Sequence, residues 1–203
     1  MKRFAMFLAL GGAMLLIAPV SHAVPFTATL NGPAEAPPNA SPGVGTAFVD
    51  LNTVAHTLRV NVSFSGLTAP TVAAHIHCCV LPNGTAGVAT TLPAFTGFPL
   101  GVTSGNFDGT FSTLSAATWN PAYITANGGT PATAEAALAA GMAANSAYLN
   151  LHTSAFPGGE IRGFLTALLP GPSNIPTLAQ GALVALVAAL LLLGFAMMRK
   201  RGS

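Results

Sequence analysis

"SAYLNLHTSAFPGGEIRGFLTAL", residues 146–168, reads as two strands joined across Pro157, Gly158 and Gly159. On the first strand Leu149 and Leu151 oppose Tyr148, Asn150 and His152, because successive strand side chains point to opposite faces. Beyond the turn Ile161 and Leu165 continue the apolar side. That leaves Glu160 and Arg162 on the side of His152, and in a hairpin His152 and Glu160 become near cross-strand neighbours. The connecting loop is long enough to leave the register open. An antiparallel pair with one apolar face needs a sheet or layer to cover that face.

The same period of two recurs upstream. "PFTATLNG" puts Phe26, Ala28 and Leu30 on one face, "GTAFVDLN" groups Ala47, Val49 and Leu51, and "HTLRVNVSFSGL" groups Leu58, Val60, Val62 and Phe64. Turn-forming residues separate them, as in "NGPAEAPPNASPG". A further strand is expected around 105–114. Helical pieces are expected in "SAATWNPAYITA" and in "TPATAEAALAAGMA", where Pro131 suits a first turn and the alanines favour helix. The expected fold is mostly β: an antiparallel β-sandwich, immunoglobulin-like or superoxide-dismutase-like Greek key, with short helical insertions.

The two ends of the 203-residue chain carry different signals. Residues 1–23 hold Lys2 and Arg3, an apolar run to about Val20, and small residues Ser21 and Ala23 before a cut, the pattern of a secretory signal. Residues 170–174 read as a linker, followed by a tail over 175–203. Within that tail 178–198 is uncharged and long enough, at about 31 Å as a helix, to cross a bilayer. Arg199, Lys200 and Arg201 follow as a stop-transfer cluster. With basic residues at both extremes held in the cytoplasm, the middle is placed outside the inner membrane. Between the ends, 24–169 carries Arg59 and Arg162 against Glu35, Asp50, Asp108, Glu135 and Glu160. A mildly acidic domain lacks the basic footprint of a nucleic-acid partner.

"AAHIHCCV", residues 73–80, concentrates the chemistry. Alternation puts His75, His77 and Cys79 on one face and Ala74, Ile76 and Cys78 on the other. Histidines two apart lie about 6.6 Å apart along a strand, close enough to converge on one ion, whereas Cys79 needs a turn to join them. Two readings stand. In one, the histidines bond to backbone and to Glu160 and pin the following loop to the sheet. In the other, His75, His77 and His152 bind copper or zinc, with Glu160 as a ligand or as a support to one. In either, the histidine face is polar rather than plain core. For the cysteines, export favours a vicinal Cys78–Cys79 disulfide in the loop; the alternative is a buried Cys78 thiol beside an exposed Cys79. No catalytic set stands out: a G-x-S-x-G elbow is absent, and a Cys79/His77 pair on one strand lies too far apart for proton transfer.

"LNGPAEAPPNASPGVGTAFVDLN", "LRVNVSFSGL", "AAHIHCCV", "GVTSGNFDGTFS" and "AYLNLHTSAFPGGEIRGFL" together resemble the CHRD domain, first named from chordin, across residues 26–168. The resemblance implies a β-rich extracellular module without an established enzymatic activity. The paired cysteines depart from the Gly-containing turn that follows HIH in many members. HIH in an exported sandwich is also similar to the copper strand of copper/zinc superoxide dismutases, but the residues for a second, bridged zinc site are missing. Ile175, Pro176, Thr177 and Leu178 ahead of the apolar span resemble the IPTL class of bacterial sorting tails, relatives of the PEP type. That likeness implies an exosortase-like membrane protease as partner, export through the inner membrane of a Gram-negative-type bacterium, and an anchored precursor released to the envelope or matrix. The expected role is non-enzymatic, structural or adhesive, with extracellular polysaccharide or other matrix proteins as partners and no cofactor; the alternative is a copper- or zinc-binding module using the histidine cluster.

Overall fold

A computed structural model describes residues 25–168 and Leu190. The expected signal over 1–23, the membrane span over 178–198, the motif Ile175–Leu178 and the cluster Arg199–Arg201 lie outside the described residues, Leu190 excepted. Among the described residues no helix is long and apolar enough to cross a membrane.

Within residues 25–168, eight strands and two α-helices follow in the order β1 (Phe26–Asn31), β2 (Val44–Asn52), β3 (Thr57–Ser65), β4 (Thr71–Cys78), β5 (Gly105–Ser112), α1 (Pro121–Ala126), α2 (Pro131–Ala143), β6 (Ala147–Thr153), β7 (Ile161–Phe164) and β8 (Thr166–Ala167). The strands lie in the order β4-β6-β7-β1-β2-β3-β5, with β8 also pairing β1. Every pair of these strands is antiparallel.

The alternating residues of β1, β2 and β3 all turn inward. They join Ala74, Ile76, Leu149, Leu151, Ile161 and Leu165 in a single buried cluster. Strands from both ends of the sheet therefore feed the same core, so the sheet curls over itself. This is the expected sandwich-like packing, but the two layers are one continuous hydrogen-bonded sheet. The link is local to Leu165, which is fully buried and donates its N–H to the Ala147 carbonyl. Around it the chain passes from β7, which meets β1 at Arg162–Asn31, to β8, which meets β1 at Thr166–Thr27 and Ala167–Phe26.

The β2–β3 turn is held by Asn52, whose Oδ1 accepts from the N–H groups of Val54 and Ala55. Helix α2 starts at Pro131 behind a reciprocal Thr130–Thr133 capping box and buries Ala134, Leu138, Gly141 and Met142. The spacing of those four residues is one helical face. Glu135, buried on the same helix, accepts from Thr113 Oγ1 at 2.6 Å and meets His56 Nδ1 at 2.8 Å.

Candidate metal centre

Residues directly opposite on antiparallel strands share a face. The register of β4, β6 and β7 therefore builds three rows on the side away from the core: Ala73 with His152; His75 with Asn150 and Arg162; His77 with Tyr148 and Phe164. Ile76, Leu149 and Leu151 point the other way, into the core.

Three loops close over these rows. From 80–88, the Ala86 carbonyl meets His77 Nδ1 at 2.8 Å, the Ala86 N–H donates to Tyr148 Oη at 3.1 Å, and the Gly84 carbonyl accepts from Arg162 Nη1 at 2.9 Å. From 154–160, the Pro157 carbonyl meets His152 Nδ1 at 2.9 Å. From 32–39, the Ala34 carbonyl accepts from Arg162 Nε, and Asn39 Nδ2 donates to the Glu160 carbonyl at 3.1 Å. His75, His77 and His152 are left 4%, 8% and 7% exposed. The polar face expected from alternation is thus correctly grouped but buried, because loops distant in sequence supply a second cover.

The hydrogen bonds also fix the tautomers. A neutral imidazole has one N–H, and in His77 and His152 it must sit on Nδ1 to donate to the facing carbonyl. Their Nε2 atoms then carry lone pairs, and among the described residues neither has a partner; nor does Nδ1 of His75. One ligand nitrogen from each histidine lies within 4.8 Å of the other two. The rings stand 4.7 Å apart for His75–His77, 4.6 Å for His75–His152 and 5.8 Å for His77–His152, centroid to centroid. Nitrogens bound to one ion at about 2.0–2.1 Å sit roughly 3.3–3.6 Å apart, so binding would draw the rings in by about an ångström.

Protonation does not relieve the crowding. Burial, with the neighbouring His152 and His77, pushes the His75 pKa down to about 3. Burial likewise takes His77 to about 4, against the opposing pull of the Ala86 carbonyl, and lowers His152 despite its bond to Pro157. At neutral pH three uncharged, desolvated imidazoles stand together. An electron-pair acceptor is the chemical complement of such a set.

Glu160 does not join them. It immediately precedes Ile161, the partner of Leu151, yet its Oε1 accepts from Ser41 Oγ at 2.6 Å, the Thr68 N–H at 2.6 Å and Thr68 Oγ1 at 2.8 Å, and its Oε2 from Thr153 Oγ1 at 2.5 Å. Burial alone would raise its pKa; the hydrogen bonds from Ser41, Thr153 and Thr68 outweigh that and hold it below the usual value. As a candidate ligand Glu160 is corrected to a tie between loops.

Cys78 and Cys79 are bonded to each other at the end of β4. They rest on α2, where a β-carbon at Gly141 would meet both sulfurs. With the sulfurs so engaged, the cysteines stand outside the histidine group.

A second polar cluster flanks the first and was not anticipated as such. Arg162 is fully buried, its guanidinium 4.7 Å from the centre of the Tyr148 ring, and Tyr148 stacks on His77 at 4.7 Å. Glu35 lies 3.9 Å from Arg162 Nε, and burial, only partly countered by Arg162, raises the Glu35 pKa to about 7. Among the described residues Glu35 Oε1, Asn150 Oδ1 and Arg162 Nη2 have no hydrogen-bond partner. Arg162 was visible on the histidine side of its strand. Glu35 comes from an irregular loop that no periodicity marks.

Comparison with curated proteins and with solved structures finds no match to the chain. The model of the CHRD domain matches residues 26–165, which span β1 to the end of β7 and include the three histidines, so the chain belongs to the CHRD domain family.

Proposed function

We propose that the chain is an exported CHRD module that holds one copper or zinc ion between His75, His77 and His152 and serves a non-enzymatic role. The single observation that carries the metal reading is the set of unpartnered buried nitrogens, His77 Nε2, His152 Nε2 and His75 Nδ1, on three rings gathered around one point. Leaving a buried polar atom unbonded costs on the order of 1–3 kcal/mol, and three together call for an occupant. The Nδ1–carbonyl bonds of His77 and His152 orient those rings as outer hydrogen bonds orient metal ligands generally.

Membership of the CHRD family supports an extracellular-type module. The signal-like start and IPTL-like tail support export, anchoring, and release by an exosortase-like protease to the envelope or matrix, where polysaccharide or other matrix proteins are the proposed contacts. A compact β-domain with few charges suits a structural or adhesive part there.

Metal analysis tests the centre. Protein incubated with copper or zinc and desalted should retain one equivalent, and His75→Ala with His77→Ala should abolish it; less than about a tenth of an equivalent in the parent chain refutes the reading.

A further inference from the structure

We infer, building on the metal-binding reading above, that the ion this centre selects is monovalent copper rather than zinc or divalent copper. The reason is charge. Three neutral imidazoles contribute none, and among the described residues no carboxylate or thiolate stands with them. Glu160 is saturated by Ser41, Thr68 and Thr153, and the two cysteine sulfurs are bonded to each other. Beside the group lies Arg162, a cation reaching the Tyr148 ring that stacks on His77, with Glu35 against that same cation.

A divalent ion here adds two positive charges beside the Arg162 guanidinium, which Glu35 offsets only in part, in a pocket that three loops close over. The cost of taking an ion out of water grows with the square of its charge, and its repulsion by Arg162 grows in proportion to that charge. A monovalent ion reduces both. Coordination number points the same way. Zinc held by three histidines completes its tetrahedron with a water or another fourth ligand, which here would have to enter among rings only 4%, 8% and 7% exposed, whereas cuprous ion can remain three-coordinate.

The test is a competition on the full chain in detergent, without oxygen, with ascorbate keeping copper monovalent so that no thiol reductant opens the disulfide. Cuprous ion is titrated against a chromogenic cuprous chelator; zinc and cupric ions are titrated separately against chelators of their own. The expected result is one cuprous ion per chain, bound at least about a hundredfold more tightly than zinc or cupric ion. His75→Ala with His77→Ala should remove it, and Cys78→Ser with Cys79→Ser should keep it. Zinc or cupric ion bound to the same histidines as tightly as cuprous ion overturns this inference and leaves the metal reading standing. Retention of none of the three ions overturns the metal reading itself. Cuprous binding that depends on the cysteines and not on the histidines overturns both.

Discussion

Replacing Glu35 with Gln should steepen the acid sensitivity of the metal-free domain. His75 and His77 have pKa values near 3 and 4 in the folded state against 6.5 when free of the fold, so the unfolded chain takes up protons that the folded chain refuses. The stability they lend is complete above pH 6.5 and falls as pH drops toward their folded values. Between pH 7 and pH 5 each loses about 2 kcal/mol, or about 4 kcal/mol together, and His152 acts in the same direction. Glu35 works the other way. Its folded pKa of about 7 stands above the usual 4.5, so its contribution is complete below 4.5 and is lost as pH rises through 7. Over the same interval it returns about 2 kcal/mol. The parent domain should therefore lose at least about 2 kcal/mol from pH 7 to pH 5, and Glu35→Gln, which cannot titrate, about 2 kcal/mol more. Guanidinium unfolding in the presence of a chelator, followed by the fluorescence of the single, buried Trp119, reads both slopes. Equal slopes in the two proteins, or stability independent of pH in both, would refute the assignment of neutral histidines beside a protonating Glu35.

Three further outcomes are expected. Gly141→Ala should destabilise the domain by about 1–3 kcal/mol although alanine favours helix, because the added methyl meets both cysteine sulfurs; a more stable variant in thermal unfolding would show that α2 does not rest on them. Glu160→Ala should cost at least about 3 kcal/mol, since it strands the Thr68 N–H and the Ser41 and Thr153 hydroxyls, and should leave metal stoichiometry at one in whatever fraction remains folded. Intact mass of the protein from culture medium should show a species ending near Asn174; a sole membrane-bound species ending at Ser203 would exclude cleavage at the tail.

The strands were legible wherever one face was apolar and the other polar. Phe26, Ala28 and Leu30, or Leu58, Val60, Val62 and Phe64, announce both the strand and the side it buries, and each group lies in the core. Grouping His75, His77 and His152 needed only alternation and the antiparallel pairing of β4, β6 and β7. Burial of that group was not legible. It depends on carbonyls of Ala86 and Pro157 and on the Arg162 bonds to Gly84 and Ala34, in loops whose closure follows no local pattern. Glu160 shows the same limit: its place beside the strand was readable, but its side chain answers to Ser41 and Thr68, over a hundred and over ninety residues away respectively. Between β4 and β5, Phe95 and Phe98 enter the core from a stretch without secondary-structure period, against Phe107 and Phe64. The single curled sheet likewise closes through short pairings that no period announces, Arg162 with Asn31 and Thr166 with Thr27, on either side of the buried Leu165.

Anomalous diffraction at the copper edge, from crystals of copper-loaded protein, tests the histidine centre most directly. One peak is expected among His75, His77 and His152, with three ring nitrogens at about 2.0–2.1 Å and no sulfur or carboxylate oxygen bound. A peak at Cys78 and Cys79 or at Glu160, or no peak among the histidines in fully loaded protein, would contradict it.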